Sequence, residues 1–145
     1  MDKKLKAKKA FEAKMQAERE AERLAKNRKS YDELVKAMSE LGYKKEEIEQ
    51  FVLMLVRLAS GSDYEADEGE YKLLMEITGL RLSEGEFYGL VKHAVDEAFI
   101  SGVDQIVDSL SAEGKAAALD LFELFLRADD ELTPEEARIY RILKA

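Results

Sequence analysis

The strongest constraint on this chain is that part of it is written twice. A shift of 66 residues lays Leu53, Leu55, Leu58, Asp63, Glu65 and Glu70 on Leu119, Leu121, Leu124, Asp129, Glu131 and Glu136, identical at every pair. Between these, Val56 meets Phe122, Lys72 meets Arg138, Leu73 meets Ile139 and Ile77 meets Leu143. Self-similarity at a fixed shift means that one supersecondary unit is used again. The unit reads as helix, acidic loop, helix, and residues 63–70 and 129–136 each hold five carboxylates in eight residues and no base. Two such hairpins packed about a pseudo-twofold axis would pool their acids.

The periodicity around the repeat is helical. Ile48, Phe51, Val52, Leu55, Val56 and Ala59 recur at spacings of three and four, the mark of a buried helical stripe. Tyr71, Leu74, Met75 and Ile77 form a second stripe that ends at Gly79, a residue able to take a left-handed cap. Ser83 with Glu86 spells a capping box and opens a helix with Phe87, Leu90, Val91, Ala94 and Ala98 on its stripe. Ile100 to Leu110 adds another. Ser111 caps a helix bearing Ala118, Leu119, Leu121, Phe122, Leu124, Phe125 and Leu126, apolar nearly all round and therefore expected at the centre. Thr133, Pro134 and Glu136 supply N-cap, N1 and N3 of a last helix with Ile139, Tyr140, Ile142 and Leu143. No sustained period-two segment exists. The expected fold is all-α: a compact bundle of about seven helices built from the duplicated unit, plus a long charged N-terminal helix.

That N-terminal helix is expected because residues 2–29 contain neither Gly nor Pro and are rich in Ala, Lys, Glu and Arg. Its apolar residues Leu5, Phe11, Met15 and Leu24 keep no heptad seam, so a self-sufficient coiled coil is not expected. Ser30 with Glu33 reads as a capping box that starts a new helix, with Leu34, Val35, Met38 and Leu41 on one face before Gly42. The organisation predicted is a basic helical extension over 1–29 and a helical domain over 30–145.

Composition narrows the function. A chain of 145 residues with no cysteine and one histidine excludes disulfides, thiolate metal sites and two independent catalytic lobes. The longest apolar run, Phe51 to Val56, is far short of a membrane span, and no secretory pattern follows the basic start, so a cytoplasmic address is expected. Residues 1–30 carry eleven Lys and Arg against five Asp and Glu, whereas residues 31–145 carry twelve against twenty-six. A body that acidic repels phosphate, which confines any nucleic-acid contact to the basic arm and makes nucleic acid an unfavoured partner.

The doubled acidic motif resembles the tellurite-resistance TerB-like family. An apolar helix ends in a small residue, an Asp follows, and a Glu stands seven positions later at the start of the next helix. Ala128, Asp129, Leu132 and Glu136 are one copy; Asp63, Ala66 and Glu70 are the other. The likeness covers residues 44–145, with Tyr64 and Asp130 standing where the family usually places Gly. It implies an all-helical domain of about seven helices, found in bacterial metal or oxidative stress complexes near membranes and in membrane-linked co-chaperones, without an established enzymatic activity. It also implies that Asp63, Glu70, Asp129 and Glu136 match acidic positions regarded as a metal-binding cluster.

Two readings of those acids stand side by side. Asp67 with Glu70, and Thr133 with Glu136, have N-cap and N3 spacing, so capping alone accounts for them. Alternatively pooled carboxylates hold a hard divalent cation, Ca or Mg, which takes oxygen ligands and needs no Cys or His. Neither loop is an EF-hand: its sixth position is Glu68 or Pro134 and its twelfth is Leu74 or Tyr140. His93 reads as a structural or surface residue, and Tyr64, Tyr71 and Phe87 as core aromatics rather than a cleft. No glycine-rich phosphate cradle, nucleophile elbow or HExxH helix is present, so the chain is expected to be non-enzymatic. The arm has three readings: a solvated helix, a segment docked across the acidic body, or a contact for an anionic partner such as a membrane surface; docking is the preferred one, because a basic segment tethered to an acidic body has a high effective concentration. For the last, Lys3, Lys4, Lys6, Lys8 and Lys9 are the candidate contacts, helped by Leu5, Phe11 and Met15. A protein partner and a homo-oligomer are both compatible with this pattern.

Overall fold

The three-and-four spacing of apolar residues is realised as helix. The computed structural model describes residues 3–59, 68–91, 95–128 and 133–145, the side chains of 68–70, 91 and 128 excepted. Among the described residues stand seven helices and no strand: α1 (Lys3–Glu40), α2 (Lys45–Ala59), α3 (Glu68–Thr78), α4 (Glu84–Val91), α5 (Glu97–Ser109), α6 (Ala112–Ala128) and α7 (Pro134–Lys144). The seven include the long N-terminal helix rather than adding it to a bundle of seven. Among the described residues, no helix is long and apolar enough to cross a membrane.

α6 is central because it is apolar on several sides: Ala117, Ala118, Leu121, Phe122, Phe125 and Leu126 are all buried. It packs against α1, α2, α3, α5 and α7. The repeat is visible in the fold. Both ends of α3, shifted by 66, coincide with both ends of α7. Burial repeats as well, since Phe51, Val52, Leu55, Val56, Ala59 and Ile77 and their counterparts Ala117, Ala118, Leu121, Phe122, Phe125 and Leu143 are buried throughout. α2 packs on α6, while α3 leans on α6 and α7 on α2, the exchange a pseudo-twofold relation requires.

Several contacts fix which helix ends lie together. A Cβ built on Gly114 would stand 2.5 Å from that of Ala37, so α6 starts against the end of α1. Tyr43 N donates to Met38 O at the turn into α2, and Lys115 Nζ donates to Ala145 O at 2.8 Å beyond the end of α7. At the opposite end, the Arg57 guanidinium near the end of α2 sits 4.0 Å over the Phe99 ring near the start of α5. Arg138 in α7 pairs with Glu97 there. The α2 end and the α7 start, which flank the two acidic loops, therefore gather at one end of the bundle.

Local signals explain most helix ends. Ser83, Ser111 and Thr133 accept from Glu86 N, Gly114 N and Glu136 N as caps. Gly79 takes φ 68° where Gly79 N donates to Met75 O at 2.9 Å. Three expectations are corrected. Ser30 is not a cap: α1 runs unbroken through it, and Ser30 Oγ donates back to Lys26 O at 3.4 Å, as a hydroxyl inside a helix does. The partly buried Leu24 and Asn27 extend the packed stripe of Leu34 and Met38 backwards, so tertiary contact gives the chain no reason to break. Ala98 belongs to α5 and is exposed, because Asp96 caps a new helix by accepting from Phe99 N at 2.7 Å. Leu41 and Leu90 are exposed rather than inward; Leu41 lies past the end of α1, where Gly42 turns the chain with φ 92°.

Candidate functional site

Two places carry the charges that the sequence singles out: the starts of the helices after the acidic loops, and the N-terminal half of α1. Of the four acids, Asp63 and Asp129 lie outside the described residues, and so does Asp67. Glu70 lies in the first turn of α3 with its side chain outside the description. Glu136 is described fully. It is 1% exposed, and its Oε2 accepts from Thr133 N at 3.3 Å while Glu136 N donates to Thr133 Oγ1 at 3.2 Å. This is a complete capping box: the buried carboxylate accepts from the N-cap amide and the Thr133 hydroxyl accepts from an amide that the first turn leaves open, at the positive end of the helix dipole. Among the described residues, no group of three or more His, Cys, Asp and Glu side chains stands close enough to hold an ion.

A second charged cluster follows the cap. Arg138 bridges Glu135, its neighbour on α7, and Glu97 at the start of α5. The Arg138 guanidinium holds the Glu135 carboxyl below the usual carboxylate range, and the two acids raise the guanidinium in turn. The cluster is exposed, so its value is orientation of α7 on α5 more than stability.

α1 divides by its surroundings. From Arg19 onward its residues face α6 across an open groove of ≈960 Å³, with Arg19, Arg23 and Lys26 on one wall and Leu73, Leu121 and Leu124 on the other. Arg28 Nε donates to Glu76 O at 3.1 Å, placing a cation on the carbonyl-rich end of α3. Residues 3–18 extend beyond, a helical overhang of roughly 24 Å at 1.5 Å per residue. Lys3, Lys4, Lys6, Lys8 and Lys9 are all exposed on it, with Leu5 43% and Phe11 64% exposed and Met15 half-buried. The rise of α1 through residue 30 without a break means that the overhang cannot fold back over the body as one docked segment.

The aromatics behave as core. The Tyr71 and Phe87 rings are 5.4 Å apart and those of Phe87 and Tyr88 5.5 Å, and the Tyr71 hydroxyl donates to Leu82 O. Tyr64 and His93 lie outside the described residues. Two groups escaped the sequence reading. Burial pushes the Tyr31 hydroxyl up, helped by Glu49 and Asp32. Burial also pushes Asp104 up, followed by repulsion from Asp108 and opposed by Lys115, and its Oδ1 is shut off from solvent with no hydrogen-bond partner. Only Ile100 and Val107, at i−4 and i+3 in α5, hint at this in the sequence, and Ser101 and Asp108 at the other two positions blur the hint.

No protein-family model matches the chain, and neither a curated protein nor a solved structure matches it.

Proposed function

We infer that this chain is a non-enzymatic helical interaction module, similar in plan to the cytoplasmic TerB-like stress-response domains, and that its contact element is the overhang of α1. One observation carries the reading: Lys3, Lys4, Lys6, Lys8 and Lys9 are exposed on the stretch of an unbroken helix that runs beyond a body of opposite charge. The body attracts counter-charge and repels anions, whereas the overhang offers an anionic partner, either an acidic protein or an anionic membrane surface, a cationic rod clear of that repulsion. The five lysines changed together to Gln keep helix propensity and remove the charge. Wild type should bind polyglutamate or phosphatidylserine vesicles at low salt, and the five-Gln variant should lose that binding. Equal binding by both, or none by wild type, would overturn the arm as the contact element.

A second reading concerns a divalent cation, Ca or Mg, at Asp63, Glu70, Asp129 and Glu136. Its support is that the α2 end and the α7 start, one flanking each acidic loop, share one end of the bundle, and that each loop is dense in oxygen ligands. Calcium should raise the melting temperature of wild type but not of Asp129→Asn with Glu136→Gln, because ligand bound to the native state alone stabilises it by mass action. Equal shifts in both proteins would dismiss the acids as a site. Gln at position 136 can still serve the capping box, so the comparison is not confounded by loss of the cap.

A further inference from the structure

The stretch of α1 from Lys4 to Glu22 carries a pattern that the rest of the helix lacks. Lys4, Lys8, Phe11, Met15, Glu18 and Glu22 recur at spacings of four, three, four, three and four, which puts all six on one stripe of the helix. Read along the chain, that stripe is two cations, two apolar residues and two anions. Reversed, it is its own complement. In an antiparallel pair of such helices, Lys4 stands by Glu22, Lys8 by Glu18 and Phe11 by Met15, and each pair occurs twice.

We propose that residues 4–22 of α1 pair with the same segment of a second copy of this chain, antiparallel, about a twofold axis at the level of residue 13. Three observations support a second copy there. Lys4, Lys8, Glu18 and Glu22 are exposed, Phe11 is 64% exposed, and Met15 is half-buried, so the stripe lies on the accessible side of the helix. The stripe has no apolar heptad seam that would drive a strong or parallel coiled coil; only the antiparallel register sets every charge beside its opposite, and a parallel one sets like on like. The groove between α1, α3 and α6 opens beside Glu22, which leaves room for the first turn of the incoming helix and its Lys4. An isologous contact closes on itself, so the pairing makes a dimer and not a filament. Lys3, Lys6 and Lys9 fall off the stripe, so the dimer leaves them for an anionic partner, and the inference stands whether or not such a partner exists.

The contact is short, about 28 Å of helix, and buries less area than a standard stable interface, so the dimer is weak, with a dissociation constant of roughly 100 μM. Sedimentation equilibrium of the full chain, without any polyanion, tests it by charge exchange. Lys8→Glu alone sets Glu against Glu18 of the other copy, and Glu18→Lys alone sets Lys against Lys8. Each single variant should weaken dimerisation by roughly tenfold or more, since two pairs per dimer turn from attraction to repulsion. The double variant Lys8→Glu with Glu18→Lys restores opposite charges and should restore the dimer. Helicity by circular dichroism confirms that each variant is folded, because both positions are exposed. A wild type wholly monomeric at 500 μM (about fivefold above that dissociation constant), or a double variant no better than the singles, would overturn the proposal.

Discussion

The two halves of α1 share one backbone and differ in everything that surrounds it. The C-terminal half buries Leu34, Ala37 and Met38 against the bundle and lays Arg28 on the end of α3. The N-terminal half leaves Leu5 and Phe11 exposed and is helical all the same. An isolated helix of the length of residues 3–18 is marginal in water, because its first turn is costly to form. Here the packed half has already formed that turn, and Ala, Lys, Glu and Arg extend it at little cost per residue. Packing in one half thus sets both the existence and the direction of the other, and stability and recognition are assigned to different stretches of one element.

That division predicts unequal effects. Leu34→Ala, in the packed half, should cost about 2 to 5 kcal/mol in urea unfolding, as truncation of a fully buried leucine does. A loss below about 1 kcal/mol would mean that this half is not held by its core contacts. Gly114→Ala should follow. The new Cβ would stand 2.5 Å from Ala37 Cβ, a contact between two short, inflexible side chains that only a shift of α6 from α1 relieves. Overpacking of this kind costs about 1 to 3 kcal/mol, offset in part by the roughly 1 kcal/mol that Ala gains over Gly in a helix. Ala37→Gly in the same molecule should recover most of the loss, and a failure to do so would place the strain elsewhere.

Charge differs between the regions as well. Lysines of the overhang are solvated, whereas Asp104 in the body has one oxygen cut off from water and unpartnered. Its folded-state pKa is raised, so the charged form weakens the native state at neutral pH, and the weakening is relieved as pH falls through that pKa. Asp104→Asn should raise the melting temperature modestly at pH 7, and the advantage should fade in acid, where the wild-type carboxyl is already protonated. An advantage constant with pH would assign it to packing rather than to charge.

Much of this was legible in the sequence, for physical reasons that differ from place to place. The stripes of α2, α6 and α7 were readable because burial leaves a three-and-four spacing, and the caps at Ser83, Ser111 and Thr133 because one turn contains both partners. Ser30 with Glu33 shows where local reading stops: the same two residues fit a cap or a helix interior, and the packing of α1 on distant α6 chooses the interior. Arg28 with Glu76, 48 residues apart, leaves no local trace. For the four acids, Glu136 was readable as a cap, and the bend residues Asp63 and Asp129 lie outside the described residues. The stripe of Lys4 to Glu22 is also written in the sequence, but only the fold shows that it lies on the solvent-exposed side of α1.

The smallest predicted effect is the sharpest test of the division. Phe11 is a large aromatic residue at 64% exposure, so truncating it removes little buried surface. Alanine is the better helix former by about 0.5 kcal/mol or less, because Phe loses rotamer freedom against the preceding turn. Phe11→Ala, measured at low micromolar concentration where no self-association contributes, should therefore leave stability unchanged or raise it by a few tenths of a kcal/mol. The same substitution at Leu34 leaves a cavity in the core, so one substitution type applied to two residues of one helix reads out its two surroundings directly. A loss of more than about 1 kcal/mol at Phe11 would mean that the overhang rests on the body in solution, and the two halves of α1 would then be one packed helix.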